Sequence, residues 1–277
     1  MSHQSHFNQM NNTSIEGAPN TASTFQGMHM TVGNTAMPLT VDKRFAIISR
    51  HTAAGGRFLD CGCGLGNYVR LLCERLHLDA YGVEFEQEAV ESAWSDEPLK
   101  RRVSQGDLHA LQYPDDSWDY AMLNEVLEHV ADDQKVLFEV HRILKPGGLL
   151  FVFSPNRWFP FETHGVSLRI VKRRVYCLPF TPYMPVKWGK YFYTSWARNY
   201  WQGQMKKLIE NAGFAVVERD FIWPTFENIS GRQPKIFKFF RSLFRGVANA
   251  AEKMIFVRRF GVSQAWVCRK APFFQRR

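Results

Sequence analysis

Apolar residues in this chain fall into short runs that end at a carboxylate, separated by stretches with helical spacing. Phe58-Leu59 runs into Asp60, and Asn67-Tyr68-Val69-Arg70-Leu71-Leu72 then opens a helix. Ala80-Tyr81-Gly82-Val83-Glu84 reads as a second strand, residues 103–108 as a third and residues 118–124 as a fourth. A helix is predicted over 132–144, with Asp132 or Asp133 as its N-cap. Lys145-Pro146-Gly147-Gly148 ends that helix, and 149–154 is a fifth strand. Another helix, over 42–51, precedes the first strand. Further on, 195–211 reads as a helix stopped by Ala212-Gly213, 214–222 as a strand, and 264–269 as a last strand paired with it at the sheet edge. Strands alternating with helices predict an α/β fold around a mainly parallel sheet.

Two segments interrupt this alternation. From Pro155-Asn156-Arg157-Trp158 to about Thr194 the chain is irregular, with Pro155, Pro160, Pro179, Pro182 and Pro185 excluding long helices except over 166–175. An insertion of this length in a compact enzyme usually has a function. The second insertion spans about 228–262. Within it, 234–257 predicts an amphipathic helix with Ile236, Phe237, Phe240, Leu243, Phe244, Val247, Ala251, Met254 and Ile255 at helical spacing. Lys235, Lys238, Arg241 and Arg245 lie toward its other side. Two readings follow: a helix packed on the domain with its basic side in water, or an interfacial helix that meets anionic lipid. Residues 1–40 carry a single charged side chain, Glu16, and show neither period, which predicts a disordered segment ahead of one domain over 41–277.

Composition narrows the picture. The 277 residues are 45% hydrophobic and 14% aromatic, enough for a sizeable core. No apolar run reaches the length of a membrane span, and the N-terminus lacks the pattern of a signal peptide. Cys61, Cys63, Cys73, Cys177 and Cys268 are odd in number and thinly spread, which predicts reduced thiols in a cytoplasmic protein. The formal charge of +9 hides an asymmetry. Residues 1–156 hold 12 Lys and Arg against 20 Asp and Glu, a net −8, while residues 157–277 hold 23 against 6, a net +17. Segregation of this kind suggests an anionic partner such as membrane lipid, a phosphorylated substrate or nucleic acid.

The candidate chemistry sits in Asp60-Cys61-Gly62-Cys63-Gly64-Leu65-Gly66. A strand ending in an acid, a glycine-rich turn and a helix N-terminus make a nucleotide-cofactor site. The spacing is G-x-G-x-G rather than the G-x-G-x-x-G of dinucleotide binders. Cys61 and Cys63 serve here as small residues in a tight turn, since no second Cys pair accompanies them to hold a metal. The loop resembles the first motif of the class I S-adenosylmethionine-dependent methyltransferases. Acid-ended segments at Glu84 and Asp107 and the Leu144-Lys145-Pro146-Gly147-Gly148 turn follow in the family's order. Residues 41–155 resemble the small-molecule and ubiquinone-pathway members well, and 200–222 and 264–270 do so more loosely.

The resemblance implies a Rossmann-like, doubly wound, mostly parallel seven-stranded sheet with an antiparallel last strand, plus lid or insertion segments. It also implies S-adenosylmethionine as cofactor. By position in the motifs, Asp60 and the backbone of Gly62, Gly64 and Gly66 would line its methionine portion. Glu84 would accept from both ribose hydroxyls, and Phe85 would pack on the adenine. Asp107 would meet the adenine amino group, the Leu108 N–H would serve a ring nitrogen, and the Asn124 carbonyl would face the ammonium. His129 and His164 are the candidate bases, with His109 behind them. His129 at such a helix start is more often a packing or positioning residue than a base, and the alternative for His164 is a polar residue holding the lid loop. Some relatives bind a divalent ion where this chain has Glu125, Glu128 and His129, with His164 as a further ligand. The alternative, which the assignment adopts, is that these residues shape the pocket without metal.

The implied function is methyl transfer, most simply to an oxygen of a small-molecule, lipid-linked or glycan acceptor, with residues 234–257 toward an anionic membrane. The protein would then be cytoplasmic and membrane-associated. An RNA 2′-O-methyltransferase using the basic half for phosphate contacts is the alternative. Asn124-Glu125-Val126-Leu127 departs from the Asn/Asp-Pro-Pro-Tyr of DNA-adenine and protein-glutamine methylases. A non-catalytic scaffold is disfavoured by the intact acids, and a nicotinamide-dependent dehydrogenase by the glycine spacing.

Overall fold

The central strands are continuous apolar runs because the sheet is covered on both faces. The computed structural model describes residues 39–161, 166–168, 174–175, 179–184, 193–195, 198–224 and 241–271, all within the unit that spans 35–277. Helix α1 (Leu39–Ser49) is followed by β1 (Arg57–Cys61), α2 (Asn67–Leu76), β2 (Asp79–Glu84), α3 (Gln87–Trp94), the short α4 (Glu97–Lys100) and β3 (Val103–Gln105). Next come β4 (Trp118–Asn124), α5 (Asp133–Ile143) and β5 (Leu144–Pro155). The first insertion contributes β6 (Val166–Leu168), β7 (Arg174–Val175) and β8 (Tyr193–Ser195). The chain continues through α6 (Gln202–Asn211), β9 (Phe214–Ile222), α7 (Arg241–Lys253) and β10 (Ser263–Lys270).

Seven strands form one sheet in the order β3-β2-β1-β4-β5-β10-β9. Strands β1 to β5 pair in parallel, and β10 runs antiparallel to both β5 and β9. This is the expected doubly wound, mostly parallel sheet with an antiparallel last strand. The period of two divides the core. Leu123, Val152, Trp266 and Cys268 point to the side covered by α5 and α6, against Val136, Leu137, Val140, Met205 and Ile209. Met122, Phe151, Phe153, Ala265 and Val267 point to the other side, against Phe45 and Ile48 of α1 and Val69 and Leu72 of α2. Asp132 caps α5, its side chain accepting from the Lys135 N–H at 2.9 Å.

Several boundaries differ from the sequence reading. Lys145-Pro146-Gly147-Gly148 does not separate helix from strand: β5 begins at Leu144, and the four residues form a bulge where the β4–β5 register shifts. Strand β3 stops at Gln105, so Asp107 lies in the turn beyond it. Residues 166–175 were expected to hold a helix, yet Val166–Leu168 and Arg174–Val175 are strands of a small sheet ordered β7-β6-β8. Cross-strand pairing there overrides the local spacing. The helix expected over 195–211 starts only at Gln202, because Ser195 belongs to β8 and Tyr200 bridges to Asn156. Of the helix expected over 234–257, Arg241–Lys253 is α7 and a 3₁₀ turn follows at Val257–Phe260. Residues 234–240, Cys177, His164 and nearly all of 1–40 lie outside the described residues. Among the described residues no helix is long and apolar enough to cross a membrane.

Candidate active site

The glycine loop hangs from the ends of β1 and β2. Gly62 and Cys63 both donate to the Val83 carbonyl, at 2.8 and 3.1 Å, and Gly66 N–H returns to the Cys63 carbonyl at 3.0 Å. Gly62, Gly64 and Gly66 all have positive φ, at 81°, 53° and 73°. The loop delivers the chain to the N-terminus of α2, whose first-turn N–H groups face the same edge.

Glu84 closes the loop from β2. One carboxylate oxygen accepts from the Gly64 N–H at 2.8 Å, and the other from Phe85 N–H at 2.8 Å and Glu86 N–H at 3.1 Å. Asp60, at the end of β1, is 2% exposed, and its Oδ1 is buried without a hydrogen-bond partner. Burial first, and the neighbouring Glu84 charge second, push the Asp60 carboxyl up to about 8. The Asn124 Oδ1, at the end of β4, is likewise buried without a partner. The edge therefore presents acceptors and carboxylates around a glycine loop, which suits a ligand carrying positive charge and hydroxyl donors. Phe85 projects beside them, mostly exposed, and Leu108 is buried.

A raised carboxyl has a consequence for stability. Asp60 favours its protonated form in the fold, so its contribution is fully present below the unfolded value near 3.8 and is lost as pH rises through about 8. Asp60→Asn removes that loss. The variant should melt with wild type at about pH 4 and be more stable above about pH 8, by on the order of a few kcal/mol. Melting curves across this range check it; a wild-type advantage at high pH would contradict the burial argument.

Asp107 and His109 form a fixed pair in the turn after β3. Asp107 Oδ1 accepts from the His109 backbone N–H at 2.9 Å and lies 2.7 Å from its Nδ1. The Asp132 N–H points at His109 Nε2 from 3.3 Å. A backbone N–H can only donate, so Nε2 accepts and Nδ1 carries the proton. Burial alone would raise the Asp107 carboxyl, but the His109 backbone and ring outweigh it and hold it low. Both nitrogens of His109 thus already have partners.

The Glu125-x-x-Glu128-His129 segment follows β4, and His164 lies outside the described residues. Glu125 has φ of 57°, uncommon for a residue with a side chain, and its Oε1 accepts from Arg44 Nη2 at 2.6 Å and Ser263 Oγ at 3.0 Å. Glu128 is buried, and His129 Nε2 stands 4.0 Å from its carboxylate. Among the described residues no three such side chains gather as a metal group. Sequence reasoning missed Arg44, Tyr68 and Ser263. Arg44 lies on the buried stripe of α1 formed by Val41, Phe45 and Ile48. A charged residue on an apolar stripe was the available signal. Burial pulls its guanidinium down, and Tyr68, Glu125 and Glu128 more than offset this.

The sheet order and the acid-closed loop at its C-terminal edge define a Rossmann-like fold with a nucleotide-cofactor type of edge. Residues 59–152 match the methyltransferase-domain family, and the fold is that of the class I S-adenosylmethionine-dependent methyltransferases. A demethylmenaquinone methyltransferase of Staphylococcus haemolyticus is 29% identical over 178 residues, 59% of this chain and 70% of that protein. A probable S-adenosylmethionine-dependent methyltransferase of Mycolicibacterium smegmatis is 31% identical over 107 residues, 39% of this chain and 41% of that protein. The chain thus spans less than half of that relative's length. The fold is shared with phosphoethanolamine N-methyltransferase 2 of Haemonchus contortus, solved with S-adenosylmethionine, at a TM-score of 0.55 and 19% identity over 87% of this chain and 55% of that one.

Proposed function

We propose that this enzyme moves the methyl group of S-adenosylmethionine to an oxygen of a small, hydrophobic acceptor, lipid-linked or glycan in type. The cofactor supplies a methyl group on a sulfonium, an activated leaving group. The residues at the edge fit it. Asp60 and the backbone of Gly62, Gly64 and Gly66 hold the methionine portion, where Asp60 Oδ1 and the Asn124 side chain are buried acceptors awaiting donors. Glu84 takes the ribose hydroxyls, Phe85 covers the adenine, and Asp107 with the Leu108 N–H reads its edge. What the protein adds is orientation and the exclusion of water. His129 and His164 are the side chains assigned to take the acceptor's proton.

The observation that supports a hydrophobic acceptor is the lining beyond β5. Phe260, Trp158, Trp201 and Tyr183 follow one another at ring separations of 5.4, 5.6 and 5.9 Å, and Phe180 extends the row. They stand where β5 ends and β10 begins beside Glu125, on the same edge as the glycine loop. The test is transfer of label from methyl-labelled S-adenosylmethionine into a cell extract separated into lipid, glycan and RNA fractions. Label is expected in the lipid or glycan fraction. Label confined to RNA would favour the 2′-O-methyl alternative and overturn the acceptor class.

A further inference from the structure

The segment that joins α7 to β10 turns its largest apolar side chains outward. Met254, Ile255 and Phe256 are 56%, 73% and 78% exposed, and Phe260 is partly exposed. Across from them, Trp158 meets Phe260 edge-on at 5.4 Å, and Trp158, Phe161 and Phe180 are themselves exposed. Single exposed apolar residues are ordinary, but three in succession, four residues before a ring contact that joins the two insertions, are not.

The group is held rather than floppy. Asn156 Nδ2 donates to the Arg259 and Gly261 carbonyls, both at 2.8 Å, and Gln202 Nε2 donates to Arg259 at 3.2 Å. Trp223 Nε1 donates to the Arg258 carbonyl at 3.2 Å, and Arg258 N–H to the Met254 carbonyl at 2.8 Å. Tyr183 Oη donates to the Trp158 carbonyl at 2.9 Å. Backbone groups are satisfied inside while aromatic and aliphatic side chains face water. A fold that fixes its backbone so firmly gains nothing from exposing Ile255 and Phe256 unless something covers them.

Charge identifies the occupant. Lys253 and Arg259 flank the tip, both exposed, and among the described residues neither has a carboxylate partner. Arg258 beside them pairs with Asp220 at 2.9 Å. The half of the chain that contains this tip carries the net +17. Cations ringing an apolar tip match a surface with anionic headgroups above hydrocarbon, and tryptophan at such a boundary keeps its indole N–H in the polar layer.

We infer that Met254, Ile255, Phe256 and Phe260, with Trp158 and Phe180, form an interfacial wedge that seats the enzyme on an anionic bilayer. This rests on the lipid-linked reading of the acceptor, and it shifts the contact from the basic side of the predicted helix to the tip that follows it. The tip lies at the sheet edge that carries the glycine loop. An acceptor held in the bilayer would then reach the site without leaving the interface.

The test is sedimentation of the full chain with vesicles of phosphatidylcholine, alone or with about one-third phosphatidylglycerol. Wild type should co-sediment with the anionic vesicles and release as salt rises. Replacing Ile255 and Phe256 together by aspartate should lower partitioning at least about 10-fold, because both side chains lose their apolar burial. Lys253→Glu with Arg259→Glu should weaken binding to anionic vesicles more than to neutral ones. S-adenosylmethionine affinity should stay at the wild-type value in both variants, which separates failure of the wedge from failure of the methyltransferase site. Wild type that ignores both vesicle types, or an Ile255/Phe256 variant that binds as wild type does, overturns the inference. Salt-sensitive binding to single-stranded RNA with no vesicle binding would overturn it too and assign the patch to nucleic acid.

Discussion

Glu84→Ala should bind S-adenosylmethionine roughly 100-fold more weakly than wild type, within the range of about 1.5–3 kcal/mol per charged hydrogen bond. The carboxylate holds three backbone donors at once: Gly64 through one oxygen, and Phe85 and Glu86 through the other. Truncation leaves these N–H groups without their acceptor and frees the loop that has to meet the cofactor. It also removes the group assigned to the ribose hydroxyls. Two losses act on one ligand, so the effect exceeds that of a surface charge. Glu84→Gln should fall between, since its single amide oxygen can serve only part of this set. Dissociation constants for the three proteins decide it, and an Ala variant that binds as wild type does would remove Glu84 from the site.

Gly62→Ala should lose cofactor binding to a comparable degree, with a destabilisation of about 2–4 kcal/mol. Two independent strains operate. The residue has φ of 81°, which a side chain adopts at a cost. A Cβ built there would also lie 2.6 Å from Val126 Cγ2. Val126 is buried at the start of the segment after β4, so it has little room to move. Adding Val126→Ala should relieve the contact but not the backbone strain, and should recover only part of the stability. Full recovery would mean that the φ value is not a constraint; no recovery would mean that the contact is not one.

The parts of this molecule that were legible in the sequence are those fixed by local pattern. Strands β1, β2, β4 and β5 were visible as short, mainly apolar runs, and Asp60 and Glu84 were visible at the ends of the first two. The G-x-G-x-G spacing located the loop, because three positive-φ positions there require glycine. What escaped was set by distant partners. The Arg44–Glu125–Ser263 cluster joins residues 81 and 138 positions apart in sequence. Asp107 was read as a strand end, yet its hydrogen bonds to His109 make it a turn residue. The 166–175 segment was read from its own spacing, although pairing between β6, β7 and β8 decides it. Met254 and Ile255 were seen on the apolar face of a helix, whereas α7 ends at Lys253 and they lie, with Phe256, on the turn that follows. Its exposure depends on Asn156 and Trp223 anchoring the backbone from other elements.

The most direct test of the account is a calorimetric titration of the full chain with S-adenosylmethionine beside the same titration with NAD. S-adenosylmethionine should bind saturably, Glu84→Ala should weaken that binding, and NAD should not bind. Binding of NAD without S-adenosylmethionine would contradict it.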